Sequence, residues 1–366
     1  MTQEKKNGKI IAIITMIFLF GMISFVTNLA APMGIVLKNQ FDVSNALGML
    51  GNFGNFIAYA VMGIPSGILL QRVGYKKTAL IAVAIGFIGV GIQFLSGHSS
   101  PEMAFAVYLI GAFVAGFSMC LLNTVVNPML NKLGGGGNKG NQLIQIGGSF
   151  NSLCGTAVII LTGLLIPEGI KNAQISNVFP LMYAALLIFA FAFVVIALTN
   201  IPENKKEVET KTGVASKYSA LSFRHFVLGA IGIFVYVGVE VGVPNVLNKW
   251  LQNPDLNVLG SGVNAEAIAA SVAATYWFLM LIGRLVGGAI GGKVSAKGML
   301  SVASTLGLVL ILSAIMLSPS ISVDMPVFNG ADGFGLVKVP INAALLACVG
   351  LCTSVMWGGI FNLAVE

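Results

Sequence analysis

Residues 123–142 read NTVVNPMLNKLGGGGNKGNQ. Glycines beside a lysine can cradle a phosphate, but the same letters between two apolar runs make a turn joining two membrane-buried helices. Spacing separates the two. Gly134–Gly137 lack the G-x-x-x-x-G-K-[ST] pattern of a phosphate loop, because Lys139 is followed by Gly140 and Asn141, and they follow a helical run rather than a strand. The stretch reads as a turn with lysines on it, and the apolar walls on either side recur along the whole chain.

Of 366 residues, 56% are hydrophobic and 9% are charged, against about 25% charged in a soluble domain. Cys120, Cys154, Cys348 and Cys352 all lie inside apolar runs and read as small buried hydrophobes rather than a disulfide or metal set. His98 and His225 are too far apart for a metal motif. No metal or cofactor is expected, and no nucleic-acid-binding pattern accompanies the net charge of +7.

A bilayer core about 30 Å thick takes roughly 20 apolar residues per helix. Runs of that kind cover 10–37, 45–70, 78–96, 103–130, 142–166, 177–199, 224–248, 267–290, 298–318 and 339–363. The first is too long, and too far from a small-residue cleavage site, to be a removable signal peptide. With the N-terminus inside, 15 of the 20 Lys and Arg fall on cytoplasmic segments. Lys38, Lys171, Lys249 and Lys338 fall outside, with Asp42, Glu102, Glu168, Asp255, Glu266, Asp324 and Asp332. Arg284 lies within span eight, close to its cytoplasmic end, where gating or snorkelling suits it. The basic balance reflects orientation. The expected setting is a lipid bilayer, a bacterial inner membrane with a cytoplasmic N-terminus.

The charged stretch IPENKKEVETKTGVASKYSALSFRH, 201–225, separates six spans from four. The expected domains are a six-helix bundle over 1–200, a cytoplasmic linker over 201–223 and a four-helix bundle over 224–366. The halves echo each other. Asn28 stands four before Pro32 in span one, and Glu240 four before Pro244 in span seven. Gly67, Arg72 and Lys76 after span two match Gly288, Lys293 and Lys297 after span eight at a constant offset.

Duplicated halves around a central linker resemble the major facilitator architecture, whose substrate site lies near the midplane between the halves. Gly67-x-x-x-Gln71-Arg72-x-Gly74-Tyr75-Lys76-Lys77 is similar to that superfamily's cytoplasmic loop motif, with Gln71 where an acid is usual. CLLNTVVNPMLNKLG (120–134), FNSLCG (150–155), YVGVEVGVPNVLNKWL (236–251), YWFLMLIGRLVGG (276–288) and MWGGIFNLAVE (356–366) resemble the fucose–proton symporter family and its glucose/galactose relatives. The fucose member carries one acid at the position of Ala31 and another at that of Asn123, where the sugar relatives often carry an amide. The family has twelve spans. The resemblance thus implies an all-α membrane protein with two pseudo-symmetric bundles and ten of twelve helices present, so the sequence is expected to be incomplete.

Candidate residues follow from chemistry. Asn123 and Asn127 are four apart and share a helix face. Pro128 removes a backbone hydrogen bond and frees a carbonyl. Amides both donate and accept, which suits sugar hydroxyls, although amides in membranes also bond neighbouring helices. Asn28, Asn52, Asn55, Gln145 and Asn151 extend the substrate set, and Asn245 and Asn362 lie in the resembling stretches. Trp277 and Trp357 are candidate platforms for sugar C–H faces. Glu240, the one acid well inside a span, is the candidate for ion coupling, because intramembrane acids are expected to face a cavity, and also a sugar contact. Gly67, Arg72, Gly74, Lys76 and Arg284 are the cytoplasmic gate candidates.

The expected function is ion-coupled import of a monosaccharide by a monomer, with a proton favoured over sodium. A transporter-like sugar sensor and an exporter of small neutral solutes are the alternatives, and an enzyme is not expected.

Overall fold

The computed structural model describes residues 3–41, 50–165, 174–202, 220–260, 264–328 and 334–365. Most of the expected linker (203–219), together with Asp42, Glu168, Lys171 and Asp332, lies outside them. In chain order the elements are α1 (Gln3–Phe41), α2 (Leu50–Ser96), α3 (Pro101–Gly134), α4 (Gly137–Leu165), α5 (Ile175–Leu198), α6 (Arg224–Leu251), α7 (Ala265–Ile290), α8 (Ala296–Met316), β1 (Ser322–Phe328), β2 (Phe334–Pro340), α9 (Ile341–Thr353) and α10 (Met356–Val365).

Eight helices among the described residues are long and apolar enough to cross a membrane. One of them, 53–96, runs 44 residues. At about 1.5 Å per residue that is roughly 66 Å, far more than one crossing needs. It is kinked at Gly74, whose φ of 84° and ψ of 175° are not helical. A positive φ of this size strains any residue with a Cβ, which explains a glycine in the middle of the loop motif. The expected spans two and three are thus two helices that meet at a corner on Gly74 without an intervening loop. The first half of α4 is polar, with Asn138, Lys139, Asn141, Gln142 and Gln145.

The chain divides into two compact units. One comprises Met1–Leu133 with Phe150–Ala215, the other Gly134–Ser149 with Ser216–Glu366. Residues 134–149, expected in the first bundle, group with the second, so α4 gives its first half to one unit and its remainder to the other.

In the first unit, small residues let helices approach closely, as membrane helices without a hydrophobic driving force require. A Cβ on Gly89 would lie 2.5 Å from the Ala115 backbone nitrogen, and one on Gly111 would lie 2.7 Å from that of Gln93. α2 and α3 therefore meet backbone to backbone. Gly89→Val is expected to destabilise the protein by about 1–3 kcal/mol through overpacking, read as a lower unfolding temperature in detergent. At the end of α5, Lys76 donates to the carbonyls of Ala197 and Thr199 at 2.8 and 2.9 Å. It satisfies acceptors that a helix terminus leaves free and places a cation at the negative end of the dipole.

The second unit departs from an all-α fold. β1 and β2 form an antiparallel hairpin with Ser322 opposite Pro340 and Phe328 opposite Phe334. Met325, Val327 and Val339 point inward and join Leu247, Leu251, Ile268, Ala269, Val272, Ala343 and Ala347 in one apolar core, while Ser322, Asp324, Pro326, Leu336 and Lys338 stay exposed. The alternation of period two is what makes a strand with one buried face. α7 and α8 start on side-chain caps: the Asn264 side chain accepts from the Ala267 amide at 3.1 Å, and Ser295 from that of Gly298 at 3.1 Å.

Candidate substrate and coupling site

In the first unit, α3 turns Asn123 and Asn127 to one face, as their spacing requires. Asn123 Nδ2 donates to the Tyr59 hydroxyl at 2.8 Å and to the Met119 carbonyl at 3.2 Å. Asn127 Nδ2 donates to both the carbonyl and the Oδ1 of Asn123 at 3.3 Å. Because Tyr59 accepts from Asn123, its own O–H points elsewhere as an oriented donor. Tyr59 was not legible in the sequence, since no spacing rule links α2 to α3. On the next residue of α3, the Thr124 hydroxyl pairs with that of Ser66 at 2.9 Å. This is a cluster of neutral donors and acceptors without a charge.

The other amides expected in this unit are dispersed. Asn28 donates to the carbonyl and hydroxyl of Ser24 at 2.8 and 3.0 Å, with Gly155 packed against it. Asn151 donates to the Phe20 carbonyl at 2.7 Å. Asn55 is buried against Gly116. The Asn52 side chain lies outside the described residues. Of the loop-motif residues, Arg72 is exposed, and a Cβ on Gly67 would meet nothing within 4 Å.

In the second unit the principal feature is an ion pair. Arg284 Nη2 on α7 lies 3.0 Å from Glu240 Oε1 on α6, with side chains 10% and 16% exposed. Arg284 Nη1 donates to the Gly148 carbonyl at 3.1 Å. One expectation is corrected here: Arg284 does not snorkel toward a surface but is buried. Glu240, the one acid expected well inside a span, has that guanidinium as its counter-charge. A charge in this setting is tolerated because it is paired and hydrogen-bonded. Pro244 adds to the polarity, since it has no N–H to give the Glu240 carbonyl.

Aromatic side chains surround the pair. The Tyr236 hydroxyl is buried beside both charges, and its ring lies 6.1 Å from that of Trp357. Tyr276 shares a hydrogen bond with Thr353 at 2.9 Å and meets Trp277 edge-on at 5.4 Å. Trp277 and Trp357 therefore stand behind the tyrosines rather than alone. Tyr236 could have been found from sequence, because it precedes Glu240 by four residues.

Gln145 donates to the Val355 carbonyl at 3.0 Å and Gln142 to that of Gly288 at 2.9 Å. Asn245 is exposed and donates to its own helix, at the Val241 carbonyl. Asn362 is buried, with no hydrogen-bond partner for its Oδ1 among the described residues. A cleft of about 730 Å³ opens among α6, α8, α9 and α10. Its walls are apolar, including Leu228, Val235, Leu308 and Ile360, and Tyr236 reaches it, but none of the expected amides does.

A profile of the Major Facilitator Superfamily matches residues 13–365. A glucose/galactose transporter of Brucella abortus is 30% identical over 292 residues, which cover 79% of this chain and 68% of that protein. An L-fucose-proton symporter of Haemophilus influenzae is 21% identical over 398 residues, 98% of this chain and 88% of the relative. The crystal structure of the transporter FucP in the outward conformation matches with a TM-score of 0.79 at 18% identity, covering 98% of this chain and 85% of that one. The last is a likeness of fold.

Proposed function

The chain belongs to the Major Facilitator Superfamily, and from that premise we propose that it is a secondary active transporter importing a monosaccharide together with a proton. It works as a monomer in a bacterial inner membrane, with its N-terminus in the cytoplasm and ten crossings, α2 counting as two. The distribution of Lys and Arg supports this orientation. The relatives named for glucose, galactose and fucose support the substrate class, as does the uncharged Tyr59–Asn123–Asn127 cluster.

The observation that carries the coupling is the Glu240–Arg284 pair. When Glu240 takes a proton it ceases to be a counter-ion, and Arg284 loses the charge that balanced it while keeping the Gly148 carbonyl. A buried guanidinium that has lost the Glu240 charge then favours other acceptors, and sugar hydroxyl oxygens are acceptors. Proton and sugar thus favour each other's binding, and that preference is reciprocal. The proton alone strands a buried cation, which opposes an uncoupled leak. The empty, deprotonated pair is neutral overall and returns freely. A guanidinium at 3.0 Å already holds the place a sodium ion would take, which favours the proton.

The direct test is uptake of radiolabelled glucose, galactose and fucose into proteoliposomes under a pH gradient in sodium-free buffer. Binding without counterflow would make the protein a sensor instead. The apolar cleft supports a second reading, export of an apolar solute, for which an inward proton gradient would drive solute out. Tyr59→Phe keeps the ring but removes the oriented hydroxyl. It is expected to raise the sugar KM by about tenfold, a loss of about 1–1.5 kcal/mol for a neutral hydrogen bond, without changing the pH dependence of uptake.

A further inference from the structure

Nothing in the ion-pair reading uses the hairpin, yet it is tied to four of the five helices of the C-terminal half. Its inner face forms a core with Leu247 and Leu251 of α6, Ile268, Ala269 and Val272 of α7, and Ala343 and Ala347 of α9. At its base the Ile341 amide donates to the Ile321 carbonyl at 2.8 Å. The next residue, buried Asn342, donates to the Ala314 and Leu317 carbonyls at 2.6 and 2.9 Å, which fastens the root to the end of α8.

The position of that core along α6 and α7 matters. α6 and α7 run antiparallel, so Leu247 and Leu251 lie at the level of Ile268 and Val272, and further down Glu240 lies at the level of Arg284. Between the two levels α6 contains Gly242 and Pro244, with Gly238 two residues before Glu240. A Cβ on either glycine would meet nothing within 4 Å, and the proline removes the intrahelical bond to Glu240. This stretch of α6 has open space at both glycines and lacks one helix hydrogen bond, so support above it helps to fix its register against α7.

We propose that the hairpin is a clasp that holds the last two turns of α6 to the first two turns of α7, and so positions Glu240 against Arg284. Val327 and Val339, both fully buried, are its positioning residues. They touch neither charge and act through the register of α6. A two-stranded sheet leaves strand edges unpaired, which a hydrocarbon environment does not tolerate, so the clasp sits outside the bilayer core. There it can be altered without disturbing a membrane-facing surface. The part of the inference that concerns coupling rests on the proton-coupled reading above.

The test needs no substrate. Spin labels at Val246, beyond Pro244 on α6, and at Leu285, beside Arg284 on α7, report the separation of the clasped end from the ion-pair level. Both sites are exposed, and the four native cysteines are replaced. Val327→Thr with Val339→Thr keeps the shape of the core but adds two hydroxyls. A second variant replaces residues 322–338 by a glycine–serine linker of equal length. Both are expected to broaden the distance distribution, and Val327→Ile with Val339→Ile to leave it narrow. In liposomes the threonine pair is expected to lower proton-driven accumulation by about tenfold, a modest coupling free energy, with counterflow retained. A merely structural role would lower both together. A distribution as narrow as wild type in the linker variant overturns the clasp. If the unaltered protein accumulates no monosaccharide, the transport reading fails while the distance measurement still decides the clasp.

Discussion

Glu240→Gln is expected to abolish proton-driven accumulation of sugar while sparing counterflow. Glutamine preserves the size of the side chain and can still accept a hydrogen bond from Arg284, but it neither carries a proton nor balances a charge. Moving one charge through 100 mV is worth about 2.3 kcal/mol, which is roughly fifty-fold in concentration at about 1.4 kcal/mol per factor of ten. Accumulation by the unaltered protein at that potential approaches this limit. The variant is expected to exchange labelled for unlabelled sugar without net accumulation, and that exchange is expected to lose its dependence on pH. Gradient-driven accumulation that survives in the variant removes Glu240 from the coupling role.

Arg284→Met has the complementary effect and the largest expected cost in stability. Methionine fills much of the same volume but leaves the Glu240 carboxylate without its counter-ion at 3.0 Å. Removing one partner of a buried pair costs about 3–5 kcal/mol, so a lower unfolding temperature in detergent should accompany the loss of transport. The double variant, Glu240→Gln with Arg284→Met, removes both charges and is expected to recover most of the stability without recovering coupling. That pattern separates a pair that matters through its charge from one that matters through packing. Additive single-variant losses in the double would show that the two side chains do not act as a unit.

Much of the fold was legible in the sequence because a bilayer imposes a length on every apolar run. The runs at 103–130, 177–199 and 224–248 fall on α3, α5 and α6 with small differences at the ends. The corner at Gly74 was marked both by a glycine inside the loop motif and by the polar stretch QRVGYKK, 71–77, between the runs 45–70 and 78–96. The hairpin was within reach, since Val323, Met325 and Val327 alternate with Ser322, Asp324 and Pro326. It went unread because the segment is too short to span and was passed over as a loop.

The candidate site was legible in its residue types and not in its pairings. Amide spacing on one helix placed Asn123 and Asn127 together, as spacing can. Partners on different helices, such as Tyr59 for Asn123 and Arg284 for Glu240, depend on crossing geometry that no local pattern encodes. The distance of Arg284 from the end of its span does not give its depth. Its environment is in fact set by what faces it across α6 and α4.

The bend at Gly74 has a further implication. Where most neighbouring membrane segments are joined by several loop residues, α2 changes course through the two backbone torsions of one residue. Such an elbow holds no spare chain. Natural insertions, epitope tags and length differences that surface loops absorb have no place to enter there without unwinding a helix on one side or the other.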